Sequence, residues 1–159
     1  MPRTPQPTEH HRWLQRFAGN WVGEERLAPP PVGPGGTAIG RLNIRVELDG
    51  FFVVEDYLEE RNGRTVFKGH GVFGWDGEQK SYTLYWVDCM GSAPSSPARG
   101  KREGDTILFE AGKHSRYMYK FSGENSMYFK VENSQDDSRT WVTFLEANYQ
   151  RVQPLESCR

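Results

Sequence analysis

The sequence predicts an all-β protein built as an antiparallel up-and-down barrel of about ten strands, with a short N-terminal helix plugging one end. Short runs of alternating apolar and polar residues recur along the chain, as strands with one dry face require. The turn dipeptides Asp49-Gly50 and Asn62-Gly63 separate several of these runs. A parallel crossover helix has no room between them, and closing such a meander removes its unpaired edges.

The elements follow in order along one domain that spans residues 8–153. Residues 1–7 contain three prolines and are expected to be a disordered tail, and residues 154–159 are expected to be a second one. Thr8 is the expected cap of a helix that ends at Ala18. The strands are expected around Trp21 and Arg99 and over residues 40–48, 51–60, 66–74, 81–88, 106–111, 116–121, 127–133 and 140–149.

Strand register assigns an inner and an outer face to the central hairpin. If its Asn-Gly dipeptide is a two-residue loop, Asp56 lies opposite Gly69 and Glu55 lies opposite His70. Because the face that carries Asp56 is the more apolar, we expect it to point inward. Because side chains alternate between the two faces, the residues expected inside the barrel are Phe52, Val54, Asp56, Leu58, Phe67, Gly69, Gly71, Phe73, Tyr82, Leu84, Trp86 and Asp88.

The later strands are easier to assign because their apolar residues share one face. The inward residues of the next hairpin are expected to be Tyr117, Tyr119 and Phe121, across from Val131, Phe129 and Met127. The last strand is expected to add Trp141, Thr143 and Leu145. An interior with many aromatic rings and few polar groups is typical of a small-molecule pocket.

The first hypothesis is therefore a protein that binds a small, largely apolar molecule inside the barrel. Apolar contact is expected from Phe52, Phe67, Trp86, Tyr117, Tyr119, Phe129 and Trp141, and a polar group of the ligand would be oriented by Asp56, Tyr82 and Asp88. Asp88 could instead cap the amides of the following loop or pair with an arginine, because an unpaired buried carboxylate is costly.

Two other hypotheses remain open at this point. If the two faces are inverted, the protein could be an enzyme in which Glu55 orients His70 as a general base. Alternatively, it could be a homodimeric interaction protein whose barrel is filled by its own side chains. The location of His70 and the presence of an internal cavity distinguish these hypotheses.

Composition limits the expected partners and compartment. The 20 Lys and Arg residues nearly balance the 21 Asp and Glu residues, so no long-range field favours nucleic acid or an anionic membrane. Cys89 and Cys158 have neither disulfide-framework nor zinc-site spacing, so no metal site is expected. Since no apolar segment of signal-peptide or membrane-spanning length is present, we expect a cytoplasmic protein.

The segment around Trp21 (GNWVG) resembles the opening G-x-W signature of calycin barrels, which include lipocalins and fatty-acid-binding proteins. That resemblance implies that Trp21 closes the base of the barrel and that Arg151, on the last strand, packs over it. With residues 69–76, 80–82, 86–88 and 148–151, the chain is similar to a bacterial family of calycin-like barrels known as domain of unknown function 1579. The similarity covers Glu9 to Val152 and implies a fold without an established activity.

A neighbouring resemblance is to nitrobindin-like haem barrels, which share the pattern at Gly19, Trp21 and Gly23. Those proteins hold the haem iron through a histidine late in the chain, whereas no histidine follows His114 here. We therefore expect no cofactor.

Overall fold

The structure, a computed structural model, describes residues 1–153 and shows within them an antiparallel barrel of ten strands. The strands are β1 (Gly19–Leu27), β2 (Thr37–Glu47), β3 (Phe52–Arg61), β4 (Arg64–Asp76), β5 (Ser81–Asp88), β6 (Ala98–Glu103), β7 (Thr106–Ala111), β8 (Ser115–Phe121), β9 (Ser126–Asn133) and β10 (Val142–Val152). Each strand pairs with its neighbours in sequence, and β1 pairs with β10 to close the barrel. The predicted fold class is confirmed, while the tail predicted over residues 154–159 lies outside the described residues.

A short helix covers one end of the barrel, as the sequence predicted. Helix α1 spans Glu9–Leu14 and continues as a 3₁₀ turn over Gln15–Phe17. Leu14 and Phe17, three residues apart, share one face and are fully buried. The ring of Phe17 stacks on that of Phe73 from β4, with the ring centres 4.9 Å apart. Nowhere in residues 1–153 is a helix long and apolar enough to cross a membrane.

Arg151 closes the same end from the last strand. Its guanidinium lies 4.3 Å from the centre of the Trp21 ring. It also donates hydrogen bonds to the carbonyl oxygens of Arg16 at 3.1 Å and Glu124 at 3.0 Å, and to that of Ala18. The arrangement that the calycin resemblance implied for Arg151 is confirmed, and it ties the helical segment to β10.

A β-bulge between β3 and β4 overturns the predicted faces of β3. The pairing begins as expected, with Arg61 opposite Arg64 beside the turn. The register then shifts by one residue, which leaves Val66 without an opposite residue on β3. Because side chains alternate along a strand, a shift of one residue turns the other face inward.

Beyond this bulge the interior receives Val53, Glu55 and Tyr57, all of which are buried. The prediction that Phe52, Val54, Asp56 and Leu58 point into the barrel is therefore wrong. The faces predicted for β4 and β5 are confirmed, since the register there pairs inward residues with one another, as in Gly69–Asp88, Gly71–Trp86, Phe73–Leu84 and Trp75–Tyr82.

A second bulge lies between β9 and β10. The register shifts between Thr143 and Leu145, so Phe144 is the extra residue. Leu145 is buried in the interior as predicted, but the prediction that Thr143 and Trp141 point inward is wrong. Trp141 packs instead against an exterior side chain, with the guanidinium of Arg116 lying 4.2 Å from its ring centre.

The hairpin of β8 and β9 contains no bulge and follows the prediction residue by residue. Phe121 lies opposite Met127, and Tyr119 lies opposite Phe129. The rings of Tyr119 and Phe129 are 4.6 Å apart at their centres, so this pair forms part of the aromatic wall of the interior.

Candidate functional site

The barrel encloses a cavity of about 350 Å³ in the half that lies away from the helix. Most of its lining is apolar, and its aromatic members are Tyr57, Phe67, Trp86, Tyr117, Tyr119, Phe129, Phe144 and Tyr149. At the rim the cavity is bordered by partly exposed residues such as Asp88 and Asn133, together with Pro34 of the β1–β2 loop. The third hypothesis requires a barrel filled by the protein's own side chains, but the side chains of residues 1–153 leave this cavity open.

The structure brings together only part of the predicted ligand-binding set. Phe67, Trp86, Asp88, Tyr117, Tyr119 and Phe129 all line the cavity. Phe52, Asp56 and Trp141 do not: the bulge at Val66 puts Phe52 and Asp56 on the outer side of β3, and Trp141, just before β10, packs on Arg116 outside the barrel.

Tyr82 is inside the barrel but at the end that the helix closes. Its hydroxyl lies 3.1 Å from Nδ1 of His10 and accepts a hydrogen bond from Nε of Arg102 at 3.2 Å. The ring of His10 stacks on Trp75, with the ring centres 3.8 Å apart. Tyr82 therefore helps to hold the helix in place and does not border the cavity.

Asp88 caps the loop that follows β5, which is one of the two alternatives that the sequence left open, and it also borders the cavity. Its Oδ1 accepts a hydrogen bond from the backbone N–H of Met90 at 2.9 Å, which caps the loop after β5. Its Oδ2 accepts one from the indole N–H of Trp86, also at 2.9 Å. Asp88 thus fixes the orientation of an indole that lines the cavity while it borders the cavity itself.

A buried carboxyl group, Glu25, lies where β1, β2, β3 and β10 meet. It is 0 % exposed, and its Oε2 accepts hydrogen bonds from the hydroxyls of Tyr57, at 2.7 Å, and Tyr149. Gly40 provides the space, because a Cβ there would lie 2.5 Å from the same oxygen. Burial raises the pKa of Glu25 to about 7, although the two phenol hydrogen bonds oppose the rise.

Tyr57 links Glu25 to another carboxyl group at the cavity. Its hydroxyl also lies 3.1 Å from Oε2 of Glu59. A phenol has a single proton, so hydrogen bonds to both carboxyl groups require one of them to supply a proton. The geometry therefore favours a neutral carboxyl in this cluster, in agreement with the raised pKa of Glu25.

Glu55 borders the cavity more deeply and is 3 % exposed. Within the described part of the chain, its Oε2 has no hydrogen-bond partner. Burial raises its pKa to about 8, and the charges of Glu25 and Asp56 add to the rise. Gly71 leaves room for this carboxyl group, since a Cβ there would lie 3.3 Å from Oε2.

Sequence reasoning missed the importance of both buried acids. It placed Glu55 on the outer wall and did not single out Glu25. A signal for Glu25 is present in β1, because the alternation that starts at the buried Trp21 puts Gly23, Glu25 and Leu27 on the same inward face.

The proposed catalytic pair of His70 and Glu55 is not formed. His70 lies on the outside with 66 % of its side chain exposed, and its Nδ1 is 2.8 Å from Oδ1 of Asp56. Asp56 also accepts a hydrogen bond from Arg45 at 2.7 Å. Because Glu55 faces the interior, the barrel wall separates it from His70, and the predicted pairing is wrong.

None of the four histidines of the chain lines the cavity, so the cavity offers no imidazole to a haem iron. Over residues 1–153, no group of three or more His, Cys, Asp or Glu side chains is arranged to hold a metal ion.

Fold and cavity together define a closed ten-stranded β-barrel with a ligand-sized interior. The chain belongs to the family described as "Protein of unknown function (DUF1579)", which it matches over residues 6–151. None of the curated proteins compared with it matches.

Two solved structures illustrate the shared architecture. The crystal structure of Rv2717c from M. tuberculosis is 11% identical, covers 92% of this chain and 99% of its own, and superposes with a TM-score of 0.68. A redesigned β-barrel is also 11% identical, covers 94% of this chain and 100% of its own, and has a TM-score of 0.50. At these identities the likeness concerns the fold alone.

Proposed function

We propose that this protein binds a small, largely apolar molecule inside the barrel. The observation that supports this function is the cavity of about 350 Å³ with its aromatic lining. Protein pockets for small ligands have volumes of roughly 300–1,000 Å³ and are mostly apolar with a few polar groups that fix orientation. The cavity has both properties.

Binding would be passive and would use the groups that already line the cavity. Phe67, Trp86 and Phe129 would supply apolar contact, as would the rings of the two inward tyrosines of β8. Asp88 at the rim and Glu55 at depth would orient a polar group of the ligand. Because Asp88 is already held by two hydrogen bonds, the rim is organised before a ligand arrives.

The experiment is a fluorescence titration with aminoanthracene, a small neutral aromatic probe. We expect saturable binding that is weakened at least about tenfold by Val131→Trp, which fills part of the cavity with an indole. The matched control is Val87→Trp, because Val87 is 43% exposed on the outer face of β5. Equal affinities for the two variants, or no saturable binding to the natural protein, would contradict the proposal.

A companion measurement identifies the natural ligand. Native mass spectrometry of protein purified from its own host, followed by denaturing extraction, would show a molecule of defined mass bound to the barrel. Loss of that mass in the Val131→Trp protein would locate it in the cavity. The same spectra would test whether the protein forms a homodimer, the alternative that the sequence left open, and fractionation of the host cell would test the expected cytoplasmic location.

A further inference from the structure

We propose that the ligand of this cavity is a hydrophobic cation, an apolar body that carries a protonated amine or a similar nitrogen group. The inference rests on the proposed function and specifies its ligand class. Three carboxyl side chains, Glu55, Glu59 and Asp88, line the cavity, and Glu25 lies directly behind Tyr57. Among residues 1–153, no lysine, arginine or histidine lines the cavity.

Glu55 is the group that most clearly lacks a partner. Both oxygens of Asp88 already accept hydrogen bonds, and Glu59 contacts the hydroxyl of Tyr57. In contrast, Oε2 of Glu55 is buried beside the cavity with no donor among the described residues. A buried acceptor without a donor is costly, so a ligand N–H at this position would remove an existing penalty.

The remaining lining favours a cation over an anion. An anionic head group would lie among carboxyl groups, with no basic side chain of the described lining to neutralise it, and like charges repel strongly at low dielectric. The faces of aromatic rings attract cations, and Trp86, Tyr119 and Phe129 provide such rings around the cavity. The cavity is therefore unsuited to fatty acids and other carboxylates.

Proton release would accompany binding of a cation. The groups near Glu55 are Glu25 on β1, Tyr119 on β8 and Tyr149 on β10, together with Asp56 on its own strand. All are acids or phenols, so none of them is a cation that would favour the charged form of Glu55. Burial, with the charges of Glu25 and Asp56, keeps the pKa of Glu55 high in the free protein. A bound ammonium group would lower that pKa, so that Glu55 gives up its proton to solvent.

The test compares three probes with one apolar body and different heads: phenylbutylamine, phenylbutanol and phenylbutyrate. Isothermal titration calorimetry near pH 7 should show that the amine binds at least about tenfold more tightly than the alcohol, and the carboxylate most weakly. Repeating the amine titration in buffers of different ionisation enthalpy should reveal proton release. Glu55→Gln should reduce the ratio of amine to alcohol affinity at least about tenfold, whereas Glu103→Gln, which changes an exposed carboxylate, should leave it unchanged.

The outcomes separate this inference from the proposed function on which it rests. If aminoanthracene binds but the amine binds no better than the alcohol, or if its preference survives Glu55→Gln, the cation inference is overturned and the binding function stands. If neither aminoanthracene nor any of the three probes binds, both are overturned. Circular dichroism of each variant checks that a lost preference does not come from a lost fold.

Discussion

Replacing Glu55 by glutamine should stabilise the protein at alkaline pH. Glu55 is 3 % exposed, and Oε2 has no hydrogen-bond partner among the described residues. Its charged form is therefore poorly solvated in the folded barrel, while the unfolded chain leaves it in water. Glutamine has nearly the same shape and never ionises, so the substitution isolates the cost of the charge.

The magnitude follows from the pKa of Glu55, which rises from its ordinary 4.5 to about 8 in the folded protein. Between these values the folded protein holds a proton that the unfolded chain has released, so stability falls as pH rises. The contribution is fully present below 4.5 and is lost by the time pH passes 8. Since one pKa unit corresponds to about 1.4 kcal/mol, the loss is about 5 kcal/mol, a large fraction of a typical domain's stability.

Urea unfolding followed by tryptophan fluorescence provides the assay. At about pH 4 the natural protein and the Glu55→Gln variant should have similar unfolding free energies, and by about pH 9 the variant should be more stable by about 5 kcal/mol. For a denaturant slope of about 2 kcal/mol per molar urea, the midpoints would then differ by about 2.5 M. Glu103→Gln, an exposed carboxylate on β6, is the matched control and should follow the natural protein. Parallel pH profiles for the natural protein and Glu55→Gln would refute the reasoning.

Three further substitutions test other parts of the structure. Gly40→Ala should cost about 1–3 kcal/mol of unfolding free energy, because the new Cβ would lie 2.5 Å from the buried carboxyl group of Glu25. The control, Gly77→Ala, should be neutral, because its Cβ would lie 3.9 Å from the nearest atom. Arg151→Met should cost about 2–3 kcal/mol through the loss of its charged hydrogen bonds to backbone carbonyls; a negligible change in urea unfolding would contradict its closing role. Phe129→Ala should weaken aminoanthracene binding at least about tenfold, and Trp141→Ala should not; the reverse order would contradict the outward position of Trp141.

The sequence was sufficient for the fold class and for much of the cavity wall. Alternation and turn dipeptides predicted the number and direction of the strands, and the β8–β9 hairpin was correct pair by pair because it has no bulge. The bulges at Val66 and Phe144 each add one residue, and the added residue reversed the faces predicted for β3 and for the residues just before Phe144. Val66 stands between Thr65 and Phe67, and Phe144 between Thr143 and Leu145, so neither glycine nor proline marks either irregularity.

The buried acids were missed for a different physical reason. A charged residue is normally assigned to the outer face, because burying an unpaired carboxylate is costly. Glu25 can be buried because two phenol hydroxyls donate hydrogen bonds to it and because its raised pKa favours the neutral form. Glu55 can be buried beside the cavity because its raised pKa also favours the neutral form. Pairing of Glu25 with tyrosines on two other strands depends on barrel closure, which no local pattern contains.

The position of Glu55 can nevertheless be argued from the sequence when both turns that flank β3 are considered together. A two-residue turn at the Asp-Gly dipeptide before β3 pairs Ile44 with Glu55, and Ile44 belongs to the dry face of β2. That turn directs Glu55 inward, whereas the Asn-Gly turn after β3 directs Asp56 inward. Because one strand cannot present both faces to the interior, the disagreement requires an extra residue in one hairpin. The structure keeps the first register, with Ile44 opposite Glu55, and absorbs the mismatch at Val66. When the two turns that flank a strand direct opposite faces of it inward, the sequence thus signals a bulge. In this barrel the bulge decides which carboxyl group reaches the cavity.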